Sequence, residues 1–131
     1  MGSAVIDHVV LLVRDHVASR RLYEAALAAL GFAVLYESDD GAAFGLDGAD
    51  DFALYRNDRP GTRAHVAFVA GSRAAVDAFH TAALAAGGRD NGSPRIWEEY
   101  SDRYYAAFVL DLDDNNIEAV FHEPPTEEEP T

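Results

Sequence analysis

The stretch Asp-Leu-Asp-Asp-Asn-Asn-Ile-Glu-Ala-Val-Phe-His, residues 111–122, decides how this chain folds. Its first half is rich in Asp and Asn, which bond their own backbone and tolerate left-handed conformations, so residues 113–116 predict a tight connection. Its second half alternates as a strand does, with Ile117, Ala119 and Phe121 on one face. Glu118 falls on the other face, in mid-strand, in a segment built to be buried. A buried carboxylate needs a compensating partner.

The composition is that of one globular domain. The chain has 131 residues, 49% of them hydrophobic, which is long enough for a substantial core. No apolar run approaches the length of a membrane span, and the first residues lack the basic-then-apolar order of a signal peptide, so a cytoplasmic protein is expected. Because there is no cysteine, disulfides, thiolate ligands and cysteine nucleophiles are excluded. Any metal must be held by nitrogen and oxygen.

The charge is strongly negative, with a formal net value of −13. Such a surface repels phosphate backbones and anionic lipid, which argues against nucleic acid and membranes as partners. All the basic residues are arginine, and the absence of lysine excludes Schiff-base chemistry. A GC-rich genome would explain the arginine and alanine usage, and a salty cytoplasm the acidity. Both explanations stay open.

The first half of the chain reads as strand, helix and three strands. Residues 6–13 predict a strand that carries His8 on the same face as Ile6, Val10 and Leu12. Asp15 is a predicted N-cap for the helix that follows, which ends at Gly31. Three short strands are predicted at 32–37, 42–46 and 52–55, separated by Asp/Gly turns. A polar linker follows at 57–61.

The second half repeats the first at a constant offset of 57 positions (65 − 8). That shift lays His65 on His8, and it lays the alanine-rich residues 82–86 on residues 25–29. Alanine-rich helices match easily by chance, so the agreement with the histidine pair is the stronger part of the signal. The repeat indicates an internal duplication. A Gly/Asp/Asn loop is predicted at 87–93, with strands at 104–110 and from 116 onwards.

The predicted fold is therefore α+β. Two βαβββ modules, residues 1–58 and 59–123, are expected to pair their sheets into a curved, partly closed mixed surface. Its inner face would carry His8, His65 and Glu118. Residues 124–131, rich in proline and glutamate, predict a disordered acidic tail.

Four pieces of the chain, in order, carry a resemblance. They are Ile-Asp-His-Val at 6–9, Ala-His-Val-Ala-Phe at 64–68, Tyr-Tyr-Ala-Ala-Phe-Val at 104–109 and Asp-Leu-Asp-Asp-Asn-Asn-Ile-Glu-Ala-Val at 111–120. Together they resemble the vicinal oxygen chelate superfamily, which includes glyoxalase I, extradiol dioxygenases, and fosfomycin and bleomycin resistance proteins. The last piece is similar to the family signature Asp-Pro-(Asp)-Gly-Asn-X-(Ile/Leu)-Glu, with Leu112 in place of the usual proline and Asp114 in place of the usual glycine.

The resemblance implies a cup of paired modules around a divalent metal ion, with Fe(II) or Mn(II) preferred and Zn, Ni or Co as alternatives. His8 matches the first family ligand, His65 the third and Glu118 the fourth. Aligning residues 51–54 with 116–119 puts Ala53 at the second, and alanine cannot ligate. Two histidines and one carboxylate are the set of the extradiol dioxygenases. They also form the facial triad that leaves positions open on Fe(II).

By this resemblance the chain is expected to be a homodimeric metalloenzyme that chelates a small substrate through adjacent oxygens. The missing second ligand favours dioxygenase-like over lyase or isomerase chemistry. A second hypothesis is a bleomycin-resistance-like protein that sequesters a small molecule without turnover, since the negative charge suits a cationic ligand. A third is a relative that keeps the metal for structure alone. Each cup can be built within one chain or across a dimer, and the sequence leaves both arrangements open.

Each candidate residue also has a structural reading. His8 and His65 can be imidazoles satisfied by hydrogen bonds inside a core, and Glu118 can form an internal salt bridge with Arg14 or Arg56.

The remaining candidates lie around the predicted cup. Tyr104 and Tyr105 are candidates for a catalytic proton donor, although neighbours in a strand alternate and only one can face the cup. His122 shares the face of Glu118 and is expected to support the site or the structure rather than to ligate. Trp97 and Tyr100 are candidates for substrate contact.

Overall fold

The structure, a computed structural model, describes residues 6–125. In chain order its elements are β1 (Val9–Val13), α1 (His16–Ala28), β2 (Ala33–Glu37), β3 (Gly41–Leu46), β4 (Ala49–Arg56), β5 (His65–Val69), α2 (Arg73–Ala85), β6 (Arg89–Ile96), β7 (Tyr104–Leu110) and β8 (Asn116–His122). The end of the predicted tail, residues 126–131, lies outside the described residues, as do residues 1–5. No described helix has both the length and the apolar character that crossing a membrane requires.

The strands form two four-stranded mixed sheets with the same topology. Sheet 1 has the order β1-β4-β3-β2 and sheet 2 the order β5-β8-β7-β6. In each sheet the first strand of the module pairs in parallel with its last strand, and the other pairs are antiparallel. The α+β class and the two βαβββ modules are confirmed. Within residues 6–125 no strand of one sheet pairs with a strand of the other, so the two sheets stay separate and open.

The helices explain why the sheets stay apart in one chain. Each helix packs on the sheet of its own module, and the two helices pack against each other. One continuous core takes side chains from both helices and both sheets. At its centre the ring of Phe68 meets Phe52 edge-on at 5.2 Å and Phe32 at 5.6 Å. The modules are therefore joined through their helices and this aromatic contact.

Each sheet buries one face against the helices and leaves the other open. In β1, Leu11 and Val13 point into the core, whereas Val10 and Leu12 remain more than two-fifths exposed. His8 precedes them in the same alternation and falls on the open face, as the sequence pattern predicts. The open face of sheet 2 likewise carries Val69, which is 74% exposed.

The helix starts have a shared cause. Asp15 caps α1, as predicted, because its side chain accepts a hydrogen bond from the Ala18 N–H at 3.0 Å. Ser72 caps α2 in the same way through Ala75.

One predicted loop is a strand instead. Residues 87–93 were expected to form a Gly/Asp/Asn loop, but β6 begins at Arg89 and pairs with β7 through irregular register. Gly92 makes this pairing workable. Its φ is +153°, and a Cβ there would lie 2.8 Å from the Trp97 ring.

The tight connection predicted before β8 is built around a buried carboxylate. Asp111 is 1% exposed, and its Oδ1 accepts hydrogen bonds from the N–H groups of Asp113 and Asn115 at 2.9 and 2.8 Å. Asp114 takes a left-handed conformation with φ 68°. From α1, the buried Tyr23 donates its hydroxyl proton to Asp111 Oδ2 at 2.6 Å. This bond ties the two modules together.

Because of Tyr23, the free energy of unfolding is expected to fall as the pH becomes alkaline. Burial, followed by the neighbouring Asp111 carboxylate, raises its pKa well above the ordinary value. In the unfolded chain tyrosine titrates near pH ~10, so the contribution of protonated Tyr23 is complete below that pH and is lost as the pH rises towards the folded-state pKa. We expect Tyr23→Phe to be less stable than wild type at pH 7 by about 1.5–3 kcal/mol. This difference should shrink above pH ~10.

The measurement is urea unfolding of both proteins across neutral and alkaline pH. Tyr36→Phe, at an exposed tyrosine, is the control, and its difference from wild type should stay near zero. A Tyr23→Phe difference that does not change through the alkaline range would contradict the prediction.

Candidate metal and substrate site

Glu118 and His65 meet on the open face of sheet 2. Glu118 lies in the middle of β8 between β5 and β7, paired with Ala67 and Phe108, and is 1% exposed. His65 begins β5, and its side chain is 54% exposed. Its Nε2 lies 2.8 Å from Glu118 Oε1, so the imidazole N–H donates to the carboxylate. The half-exposed His65 is therefore one of the partners that compensate the buried Glu118 carboxylate.

Tyr104 holds the second oxygen of the same carboxylate. Its hydroxyl, on the adjacent strand β7, donates to Glu118 Oε2. Burial raises the pKa of Tyr104 above its ordinary value, and the hydrogen bond to Glu118 raises it further. The phenol therefore stays protonated and acts as a donor at neutral pH. The predicted alternative for Glu118, a salt bridge with Arg14 or Arg56, does not form, since these arginines pair with Asp113 and Asp58.

Aromatic side chains line the open face of sheet 2 beside His65 and Glu118. Trp97 meets Phe108 edge-on at 4.9 Å and donates its indole N–H to the Ala106 carbonyl at 2.8 Å. The Tyr100 ring lies 5.0 Å from that of Tyr104. Trp97 and Tyr100 were expected near the site, and the structure places both beside it. The sequence analysis did not identify Phe108 as a site residue, although its four-residue separation from Tyr104 puts both on one face of β7.

Arg95 was also missed. Its guanidinium stacks 3.5 Å above the centre of the Trp97 ring and lies 3.2 Å from Glu99. This contact depends on tertiary packing and has no periodic signal in the sequence.

The structure separates the two tyrosine candidates. Tyr105 points to the helix side, where its hydroxyl donates to Asp77 at 2.7 Å and Arg73 covers its ring. Only Tyr104 lies on the face that carries Glu118. His122 packs edge-on against the Tyr104 ring at 5.3 Å. It therefore contacts a neighbour of the carboxylate, and its expected supporting role stays a prediction.

His8 lies on the other sheet. Its side chain is 60% exposed, and Nδ1 lies 2.7 Å from the Asp7 carboxylate, whose hydrogen bond raises the pKa of His8. It lines a cavity of about 390 Å³ on the open face of sheet 1, together with Asp50, Ala53 and Tyr55. The structure thus brings His65 and Glu118 together and leaves His8 apart. Over residues 6–125 no three His, Asp or Glu side chains gather in one metal-binding group.

The strand register identifies Ala53 as the counterpart of Glu118. In sheet 2, Ala67 pairs with Glu118, and in sheet 1 the equivalent residue Val10 pairs with Ala53. The two modules therefore carry different side chains at this equivalent position. One holds a carboxylate, and the other holds a methyl group beside a cavity.

The donor set fits a divalent ion in part. A carboxylate and an imidazole at hydrogen-bonding distance, with the imidazole half exposed and able to turn, are ligands of the type that Fe(II), Mn(II) or Zn(II) accept. Tyr104 would remain as the hydrogen-bonding partner that orients the carboxylate. A third protein donor has to come from outside this pair.

The fold and these residues define a class of protein. Residues 5–119 match the family model of the Glyoxalase/Bleomycin resistance protein/Dioxygenase superfamily. The chain belongs to this superfamily, and the resemblance drawn from its sequence is confirmed.

Solved structures agree with this assignment. The chain is 27% identical to a glyoxalase/bleomycin resistance protein from Albidiferax ferrireducens T118, with a TM-score of 0.76 over 88% of this chain and 97% of that one. A glyoxalase/bleomycin resistance protein/dioxygenase family enzyme from Burkholderia phytofirmans PsJN is 20% identical, with a TM-score of 0.69 over 91% and 99% of the two chains. A related domain from Frankia sp. EAN1pec is 21% identical, with a TM-score of 0.69 over 95% and 96%. No curated protein matches the sequence.

Removing the Tyr104 hydroxyl tests how the buried carboxylate is held. Tyr104→Phe leaves Glu118 Oε2 without its donor inside the protein, which should lower the free energy of unfolding by about 1–3 kcal/mol. Tyr105→Phe is the matched control, because it removes the hydroxyl of the next residue in the strand. The partner of that hydroxyl, Asp77, is exposed and remains in contact with water. We expect a smaller loss there. Urea unfolding at neutral pH measures the free energy of unfolding of both variants. Equal losses would show that the hydrogen bond from Tyr104 to Glu118 stabilises the protein no more than the exposed bond of Tyr105 does.

Proposed function

We propose that this protein is a divalent-metal-dependent enzyme that acts on a small molecule with adjacent oxygen atoms. His65 and Glu118 of one chain, with His8 of a second copy, would hold the ion. The observation that carries the proposal is the buried Glu118 carboxylate, held between His65 and Tyr104 on an open face. A buried carboxylate is costly and tends to persist where it has a chemical task.

A second copy would supply the missing ligand. His8 lies on the open face of sheet 1, and the helices keep that face away from sheet 2 of the same chain. The open faces carry apolar side chains in solvent, Val10, Leu12 and Val69 among them. In a twofold homodimer, sheet 1 of each copy can face sheet 2 of the other, which covers these side chains and forms two identical sites. His8 would then approach His65 and Glu118.

The proposed chemistry follows from the donor set. A divalent ion held by these residues would supply Lewis-acid chemistry to a substrate with two adjacent oxygens. Glu118 and His65 would provide a carboxylate and an imidazole ligand, and Tyr104 would keep one carboxylate oxygen oriented through its hydroxyl. The rings of Trp97 and Phe108 exclude water from one side of the bound molecule. Ala53, which leaves space where its counterpart holds a carboxylate, favours a three-ligand, extradiol-dioxygenase-like site.

A second candidate function is binding without turnover. Asp7 and Asp50 line the cavity beside His8, and the whole chain has a net charge of −13. Both features favour a cationic small molecule. If this function is the correct one, affinity for such a ligand stays unchanged when EDTA removes divalent ions.

Metal content is the first test of the enzyme. Protein purified anaerobically with Fe(II) or Mn(II) should hold close to one ion per chain by mass spectrometry, and Glu118→Ala should lose it. Glu24→Ala, at a half-exposed glutamate of α1 that pairs with Arg20, is the matched control for replacing a glutamate away from the site and should keep its metal. Wild-type protein without metal would move the function to ligand binding.

A mixing experiment tests the shared site. His8→Ala and Glu118→Ala should each bind little metal alone. After the subunits exchange, each mixed dimer would hold one intact site, because its wild-type His8 faces its wild-type Glu118. Random exchange should therefore restore about a quarter of the wild-type metal content, by the symmetry of a twofold dimer. No recovery after proven exchange, shown with differently tagged chains, would mean that the site is not shared in this way.

A further inference from the structure

The turn before β8 holds the residue that precedes His65. The side-chain Oδ1 of Asn115 accepts a hydrogen bond from the Ala64 N–H at 2.7 Å, and the Asn116 N–H donates to the Ala64 carbonyl at 2.9 Å. Both backbone groups of Ala64 are thus bonded to the segment that leads into Glu118. The separation of His65 and Glu118 is therefore set by this turn as well as by the pairing of β5 with β8.

Asp111 in turn fixes Asn115. Its Oδ2 accepts from the Asn115 side-chain NH₂ at 2.9 Å, and its Oδ1 accepts from the Asn115 backbone N–H at 2.8 Å. Since the amide nitrogen faces a carboxylate, the amide oxygen must face the Ala64 N–H, and only one orientation of the side chain satisfies both contacts. Both residues are buried, so water cannot replace these bonds readily.

Tyr23 connects this arrangement to the first module. Its hydroxyl donates to the same Oδ2 of Asp111. Hydrogen bonds therefore run in series from α1 of the first module to Asp111, Asn115 and Ala64. Hydrogen bonds in such a buried chain polarise one another, and loss of one weakens the next.

The first module shows that the fold does not need this carboxylate. There β3 and β4 are joined by Asp47 and Gly48 alone, both with positive φ, and β1 and β4 still pair in parallel. In the second module the same connection takes residues 111–115 and buries an acid, which costs desolvation energy. The additional segment occurs in the module that carries Glu118.

We propose that Asp111 and Asn115 are positioning residues for the His65–Glu118 pair, and that Tyr23 makes this positioning depend on the first module. The consequence for metal binding rests on the function proposed above. The consequence for the geometry of the pair does not, because the hydrogen bond between His65 and Glu118 exists without a metal.

The experiment uses the full chain and two readouts. The first is the ¹⁵N imidazole NMR spectrum of His65 in metal-free protein, assigned by comparison with His65→Gln, which reports the Nε2–H bond to Glu118. The second is the dissociation constant for Mn(II). The variants are Asn115→Ala and Tyr23→Phe. Leu22→Ala is the control, since it removes a buried side chain from the same helix without touching the hydrogen-bond chain.

We expect Asn115→Ala to shift the His65 signals and to weaken Mn(II) binding by about tenfold, the usual effect of losing a group that orients a ligand. Tyr23→Phe should act in the same direction and more weakly. Leu22→Ala should lower the melting temperature and leave both readouts unchanged. This pattern separates positioning from general loss of stability.

Unchanged His65 signals in folded Asn115→Ala and Tyr23→Phe would overturn the proposal. If Asn115→Ala does not fold, Tyr23→Phe, which keeps its ring packed against Phe52, decides the question alone. If wild-type protein binds neither Mn(II) nor Fe(II), the proposed enzyme fails, and the NMR spectra still test the positioning of the pair.

Discussion

The burial of one carboxylate is the constraint on which the second module depends. Glu118 is held in the middle of a sheet, where its charge loses hydration and must be compensated by neighbours. His65 on one adjacent strand and Tyr104 on the other supply that compensation, one to each oxygen. The site is therefore built across three strands. Its geometry is as rigid as their pairing, which is the arrangement that functional groups require.

The chain has two modules of the same topology whose open faces carry different residues. In the second module a carboxylate, an imidazole and aromatic rings occupy the open face. The first module presents His8, Ala53 and a cavity at the equivalent place. Because the helices pack against each other inside one chain, the two open faces point away from that contact. The second module thus has the carboxylate that the first lacks, and the first module has the cavity beside its equivalent position.

Much of this was readable from the sequence, because local rules decide it. Alternation placed Glu118 on the face opposite Ile117 and required that only one of Tyr104 and Tyr105 share that face. The repeat predicted two modules, and the register confirms Ala53 as the counterpart of Glu118. The position of His8 relative to Glu118 was not readable, since alternation says which face a residue takes but not which sheets meet. Residues 89–93 were assigned to a loop because their composition outweighed the pairing that β7 imposes.

The chain contains a single tryptophan, and the fold puts it on the face that carries Glu118. Trp97 lies between the Arg95 guanidinium and the Phe108 ring, on the same face as Glu118. Its indole emission therefore originates from one known place. A paramagnetic ion or an aromatic molecule that arrives on this face would change that emission directly. The protein thus carries an intrinsic fluorescent reporter of the proposed site, and candidate ligands can be screened there without labels or a known reaction.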